Sequence, residues 1–129
     1  MSAALRLKLG DERLAVVRLD PESDIPAWAL VRSHFSSISR TPDELSIVCD
    51  ESQVPDGARI EGGWRALKVE GPLDFGLTGI LAAIADPLAR AGVSIFAIST
   101  FDTDYVLVKD DKVNVALAAL CAAGHFVAA

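Results

Sequence analysis

One strand–turn–strand plan occurs twice in this chain. Ile38-Ser39 and Leu45 to Val48 are matched by Ile98-Ser99 and Tyr105 to Val108 at an offset of 60 residues. Upstream, Arg18, Leu19, Asp20 and Asp24 are matched by Lys68, Val69, Glu70 and Asp74 at an offset of 50. The ten-residue difference is a longer helix in the second copy. That copy reads strand, helix, strand, strand, helix, strand, the ferredoxin-like βαββαβ plan. The first copy lacks a second helix and a fourth strand. The expected fold class is therefore α+β: two ferredoxin-like units in tandem, the first truncated, with boundaries at 1–61 and 62–129.

Local signals fill in the elements. "LRLKL" and "LAVVRL" alternate or run apolar on either side of Gly10 and Asp11, which reads as an N-terminal hairpin of the first unit. By topology, its first strand fills the missing edge of that unit. Asp24 and Pro26 start a short helix through "AWALVR". A second hairpin, "FSSIS" to "LSIVC", turns at Pro42 and Asp43. In the second copy a strand runs from Trp64 to Glu70. Asp74 is placed to cap a helix from near Gly76, whose apolar face is Leu77, Ile80, Leu81, Ile84 and Leu88. Pro87 removes an amide donor inside that helix. Asp110 or Asp111 caps a last helix bearing Val113, Leu117 and Leu120, and "HFVAA" offers a final strand.

The chain's 129 residues carry a formal charge of −6. An acidic balance argues against nucleic acid and against an anionic membrane surface. No apolar run is long enough to span a bilayer, and the N-terminus lacks the uninterrupted apolar stretch of a signal peptide. Cys49 and Cys121 lack metal-like spacing and read as reduced, buried thiols of a cytoplasmic protein. His34 and His125 have no neighbouring acid or cysteine set in sequence. There is no nucleophile elbow and no phosphate-binding lysine loop, so neither a cofactor, a metal nor an enzymatic activity is expected.

"EGPLDFGLTGILAAIADPLARAGVSIFAIST" followed by "FDTDYVLV", with the fainter first copy "SISRTPDELSIVC", resembles the tandem ACT domains of small two-ACT proteins and of the CASTOR-type arginine sensors. The embedded Pro87 fits that pattern. The resemblance implies a regulatory protein, often dimeric and acting on a partner protein. It also implies an amino-acid site at the seam between ACT units. By motif, the loop side of that site is Asp74, Phe75, Gly76, Leu77, Thr78 and Gly79. The strand side is Ile98, Ser99, Thr100, Phe101 and Asp104. Chemistry alone points the same way. A helix N-terminus holds a carboxylate, and glycines admit close backbone approach. Asp104 suits an ammonium or guanidinium group, and Phe101 suits an aliphatic stem. Plainer roles are also open: Asp74 as a helix cap, Phe101 as core, Asp102 as a solvated turn residue. Glu44 is the expected counterpart of Asp104 in the first copy. The rival to a sensor is a ligand-free interaction or oligomerisation module.

Overall fold

A computed structural model describes residues 4–71 and 78–128. The strands are β1 (Arg6–Leu9), β2 (Leu14–Leu19), β3 (Ser37–Arg40), β4 (Leu45–Asp50), β5 (Ile60–Val69), β6 (Ile95–Ser99), β7 (Asp104–Lys109) and β8 (Phe126–Ala128). The helices are α1 (Ile80–Arg90) and α2 (Val113–Ala122), and 3-10 turns occupy Ala27–Leu30, Glu51–Gln53 and Asp110–Lys112. Contacts divide the chain into two compact units: a first, Glu12–Trp64, and a second, Met1–Asp11 with Arg65–Ala129.

In the first unit β3 pairs with β4, β4 with β2, and β2 with the beginning of β5, all antiparallel. This is the strand order of βαββαβ, with each helix shortened to a single 3-10 turn. The fourth strand, absent from the expected plan of this unit, is Ile60 to Trp64. Gly62 and Gly63 concealed it, because paired glycines read as a break rather than a strand. Here they form an irregularity opposite Leu14 and Val16: Gly63 takes φ +75°, and a Cβ at Gly62 would collide with the Glu51 carboxylate. Glu51 in turn accepts the Gly63 N–H at 2.7 Å. The core of this unit is Ala15, Val17, Ala29, Leu45, Ile47 and Cys49. Asp24 does not cap the first turn, whose N-cap is Pro26.

The N-terminal strand does not make the expected hairpin with β2. β1 pairs antiparallel with β5 (Leu7 opposite Val69, Leu9 opposite Leu67) and parallel with β8. Gly10 N–H donates to Ala66 O at 2.9 Å, and Arg65 Nε donates to Gly10 O at 2.8 Å, so the residues read as a hairpin turn bind β5 instead. The alternation of "LRLKL" explains why. Leu7 and Leu9 are buried while Arg6 and Lys8 are exposed, and the apolar face joins Leu67, Val69, Ile84 and Leu88 in one core. Burial with a distant strand outweighs pairing with a near one. β1 thus completes the second unit, where β7 pairs with both β5 and β6.

Helix α1 starts at Ile80, after Gly79 in the left-handed conformation (φ +77°). Ile84 and Leu88 are fully buried as expected, but Leu81 is exposed. Pro87 leaves the Ala83 carbonyl without its usual i+4 donor. His125, only 6% exposed, fills that role: its Nε2–H donates to Ala83 O at 2.9 Å. Leu5 N–H donates to the Nδ1 of the same ring at 3.1 Å, which fixes one neutral tautomer between them. The last helix begins after the Asp110–Lys112 turn, with no side-chain cap, and Asp110 pairs with Arg65 at 3.1 Å. Of the two thiols, Cys49 is buried, and that burial pushes its pKa up; Cys121, expected to be buried, is exposed. Its position on α2 faces away from the stripe of Val113, Ala116 and Leu120.

Candidate ligand-binding hairpin

The β6–β7 hairpin carries five of the residues singled out in the sequence. Its closing pair is Ser99 opposite Asp104. The Ser99 hydroxyl donates to Asp104 Oδ1 at 2.6 Å, so the aspartate that opens β7 is oriented by its cross-strand neighbour. Ile98 is half-buried, Thr100 is exposed, and Phe101 is 80% exposed at the tip. The aromatic is therefore not core. Asp102 is an exposed turn residue.

The residue that anchors the tip is Thr103, which no motif in the sequence marks. It is 5% exposed, and its hydroxyl donates to Val69 O at 2.6 Å. Its N–H reaches the Thr100 hydroxyl at 3.4 Å, and Thr100 N–H donates to Thr103 O at 2.8 Å. Because Val69 is the last residue of β5, the hairpin tip is fixed where the chain leaves the sheet toward α1. Thr78 and Gly79, at the far end of that connection, are exposed. Asp74, Phe75, Gly76 and Leu77 lie outside the described residues.

The same turn exists in the first unit, shifted from the expected register by one residue. Thr41 N–H donates to Glu44 O at 2.9 Å, as Thr100 does to Thr103, and Arg40 opposite Leu45 is the closing pair. Thr41 and Asp43 thus correspond to Thr100 and Asp102 at an offset of 59, not 60. The counterpart of Asp104 is then Leu45, which is fully buried, and not Glu44. The counterpart of Ser99 is Arg40. Its guanidinium donates from Nη1 to Pro21 O and from Nη2 to Ser23 O at 2.8 Å, bridging the hairpin to the loop after β2. In the first unit, then, a cationic side chain of the protein itself spans hairpin and loop. In the second, the equivalent side chain is a short serine engaged with an acid.

Comparison with known proteins agrees with this architecture. The ACT-domain family model matches residues 59–122, and a separate N-terminal-domain model matches residues 12–57. "Cytosolic arginine sensor for mTORC1 subunit 1" is similar in sequence: the rat protein is 43% identical over 98 residues, covering 73% of this chain and 29% of its own length. The human protein is 43% identical over 89 residues, covering 68% of this chain and 26% of its own length. The chain thus spans under a third of these relatives. A crystal structure of an Agrobacterium tumefaciens protein is 38% identical, superposes with a TM-score of 0.92, and covers 98% of this chain and 93% of that one. The regulatory subunit of aspartate kinase from Thermus thermophilus shares the fold at 11% identity and TM-score 0.65, covering 91% of this chain and 95% of its own. With the ordering of its strands, its repeated hairpin and these matches, the chain belongs to the ACT-domain family.

Proposed function

We propose that this chain is a non-catalytic regulatory protein that binds an amino acid through the β6–β7 hairpin of its second unit. The seam between ACT units is the ligand's place, with Asp74 to Gly79 on the loop side and Ile98 to Phe101 with Asp104 on the strand side. The observation that carries this reading is the contrast between the two hairpins. In the first unit the Arg40 guanidinium bonds to the carbonyls of Pro21 and Ser23, beside a buried Leu45. In the second unit that position is Ser99, and the neighbour is an oriented carboxylate, Asp104. A ligand's cationic group at Asp104 takes the place that Arg40 holds in the first unit. Its carboxylate faces the amides of the loop entering α1, and Phe101 covers its stem. Arginine fits those terms, and the relatives named as arginine sensors make it the first ligand to test. Ligand binding favours one arrangement of the molecule only by its differential affinity for that arrangement, which is how the signal reaches a partner protein. A cytoplasmic location accords with this role.

The test is a thermal-shift screen of the standard amino acids at millimolar concentration. A ligand that binds only the native state at roughly 100 times its Kd adds about 2.7 kcal/mol. One or two hits, abolished in Asp104→Asn without loss of unliganded stability, are expected. A flat profile refutes the sensor. It would leave the oligomerisation module, for which the exposed Phe126 on β8, a strand paired only with β1 among the described pairings, is the specific support.

A further inference from the structure

Where β1 joins β5 and β8, the second unit's sheet turns one face to the core and the other to solvent. Leu7, Leu67 and Val69 take the core side, while Arg6, Lys8, Lys68 and Phe126 alternate with such residues and are exposed. Register makes the exposed set contiguous. Lys8 stands directly opposite Lys68 across β1 and β5, and Arg6 stands beside Phe126 across β1 and β8. The Arg6 guanidinium carbon lies 5.4 Å from the centre of the Phe126 ring. Beside Lys8 on β8 is Ala128, which is too small to cover it.

Like charges placed directly opposite on a sheet, their Cβ atoms about 5 Å apart, destabilise it. Among the described residues neither lysine side chain has an ion-pair or hydrogen-bond partner. That is unexpected in a chain with 18 acidic residues against 12 basic ones. Arg65 and Arg90 of the same unit do pair, with Asp110 and Asp86. The surroundings do not relieve the repulsion. Glu70 follows β5, and its N–H donates to Arg6 O at 2.8 Å, which sets it opposite Arg6 and two positions along from the lysines. On β7, beyond β5, Tyr105, Leu107 and Lys109 alternate with the core residues Val106 and Val108, so that strand brings a further lysine and no acid to this side.

A carboxylate seated between Lys8 and Lys68 removes that repulsion, and an apolar side chain next to it covers Phe126, which is 61% exposed. Same-face positions along β1 lie two residues apart, roughly 7 Å, which is also the spacing of alternate side chains in an extended peptide. A segment with acidic and apolar residues at alternate positions therefore meets the lysine pair and the aromatic in step. A long polyanion fits less well. Nucleic acid binds through many phosphates, and a molecule of net charge −6 repels it, as it repels an anionic membrane, beyond so small a patch. The side of β8 away from β1 carries no pairing among the described strands, which leaves room for a polypeptide at that border.

We infer that this face docks an acidic segment of a partner protein, whose carboxylates bind Lys8 and Lys68 and whose apolar side chain lies on Phe126. The surface is separate from the β6–β7 hairpin and does not require that the hairpin bind an amino acid.

A blocked hexapeptide alternating glutamate with leucine is the probe, and amide NMR of the full chain is the measurement. At low salt the peptide is expected to shift the Lys8, Lys68 and Phe126 amides, and its affinity should fall at 1 M salt, where screening sets in at about 3 Å. The glutamine counterpart is expected to shift none of them. Lys8→Gln combined with Lys68→Gln should weaken binding roughly fivefold or more, the scale of two partly exposed charge pairs, while Asp104→Asn leaves it unchanged. The glutamine control is read on the wild-type protein, so a poorly folded variant does not shelter the proposal. Absence of shifts, equal binding of the glutamine peptide or equal affinity in the double lysine variant overturns the assignment. Shifts lost in Asp104→Asn overturn it too, because they place the peptide at the hairpin. So do shifts produced by a DNA duplex or phosphatidylserine vesicles and not by the peptide, or shifts that appear on concentrating the protein alone, which make nucleic acid, membrane or a second copy the occupant.

Discussion

His125 compensates for Pro87, and a double-mutant cycle measures the compensation. In wild type the Ala83 carbonyl lacks the amide that residue 87 would ordinarily supply, and the imidazole Nε2–H occupies it at 2.9 Å. The other ring nitrogen accepts Leu5 N–H at 3.1 Å in a buried setting. His125→Phe keeps the ring's bulk but orphans both groups. At about 1–3 kcal/mol for each buried unsatisfied group, a loss of roughly 3 kcal/mol is expected. Pro87→Ala restores an N–H to Ala83 O within the helix, so in that background only Leu5 N–H is orphaned. The cost of His125→Phe should then fall to about half, giving a coupling of roughly 1–2 kcal/mol. The assay is urea unfolding followed by far-UV circular dichroism, which reports α1 and α2, both in the second unit. Mutations without a shared partner add to within about 0.5 kcal/mol. If His125→Phe costs the same in both backgrounds to that margin, the imidazole is not serving the carbonyl that proline abandons, and the argument fails.

Three further expectations can be checked in the same way. Thr103→Val removes the hydroxyl that donates to Val69 O at 2.6 Å and should cost about 1–2 kcal/mol in urea unfolding, with ligand affinity at the hairpin reduced as the tip loosens. Gly79→Ala meets no atom of the described residues within 4 Å of the added Cβ, so a cost of about 1 kcal/mol is expected from φ +77° alone; a larger loss would indicate a further contact. For Glu12, burial first and then the neighbouring Asp50 raise the pKa above the ordinary 4.5. Its neutral form is favoured by folding, so that contribution is whole below pH 4.5 and is lost as pH rises through the folded value. Glu12→Gln should therefore be more stable than wild type at neutral pH, with the gap closing toward pH 4.5, as read by the fluorescence of Trp28 and Trp64 in the first unit.

What the sequence disclosed, and what it withheld, follows from the range of the interactions involved. The β3–β4 and β6–β7 hairpins, the second unit's helices and the last strand were legible, because turn residues and apolar periodicity are local signals. The partner of β1 was not: alternation in "LRLKL" announces a strand with one buried face, but nothing within it says which strand lies beside it. The fourth strand of the first unit was hidden because Gly62 and Gly63 serve a bulge fitted to Glu51, a residue eleven positions before Gly62. The one-residue error in the repeat could have been avoided from sequence, since Thr41 and Asp43 align with Thr100 and Asp102. Matching apolar runs favoured the wrong register; matching turn chemistry gives the right one. Glu12 and His125 carried no local signal at all. Each gains its meaning from a backbone group far along the chain, the His34 amide and the Ala83 carbonyl.

That register decides more than bookkeeping. At an offset of 60 Asp104 has an acidic twin, and the two hairpins look like equivalent binding sites. At 59 its twin is Leu45, fully buried in the first unit's core, and the twin of Ser99 is Arg40, committed to the Pro21 and Ser23 carbonyls. The fold is repeated, but the chemistry at the hairpin is not. A cationic ligand therefore has one hairpin to address per chain. Exchanging the pair tests this directly: Arg40→Ser should free the Pro21–Ser23 loop, cost about 1–2 kcal/mol from lost hydrogen bonds, and create no ligand response at that hairpin, because Leu45 offers no charge. A gain of amino-acid binding at the first hairpin in Arg40→Ser alone would show that the carboxylate at position 104 is not what recognises the cation.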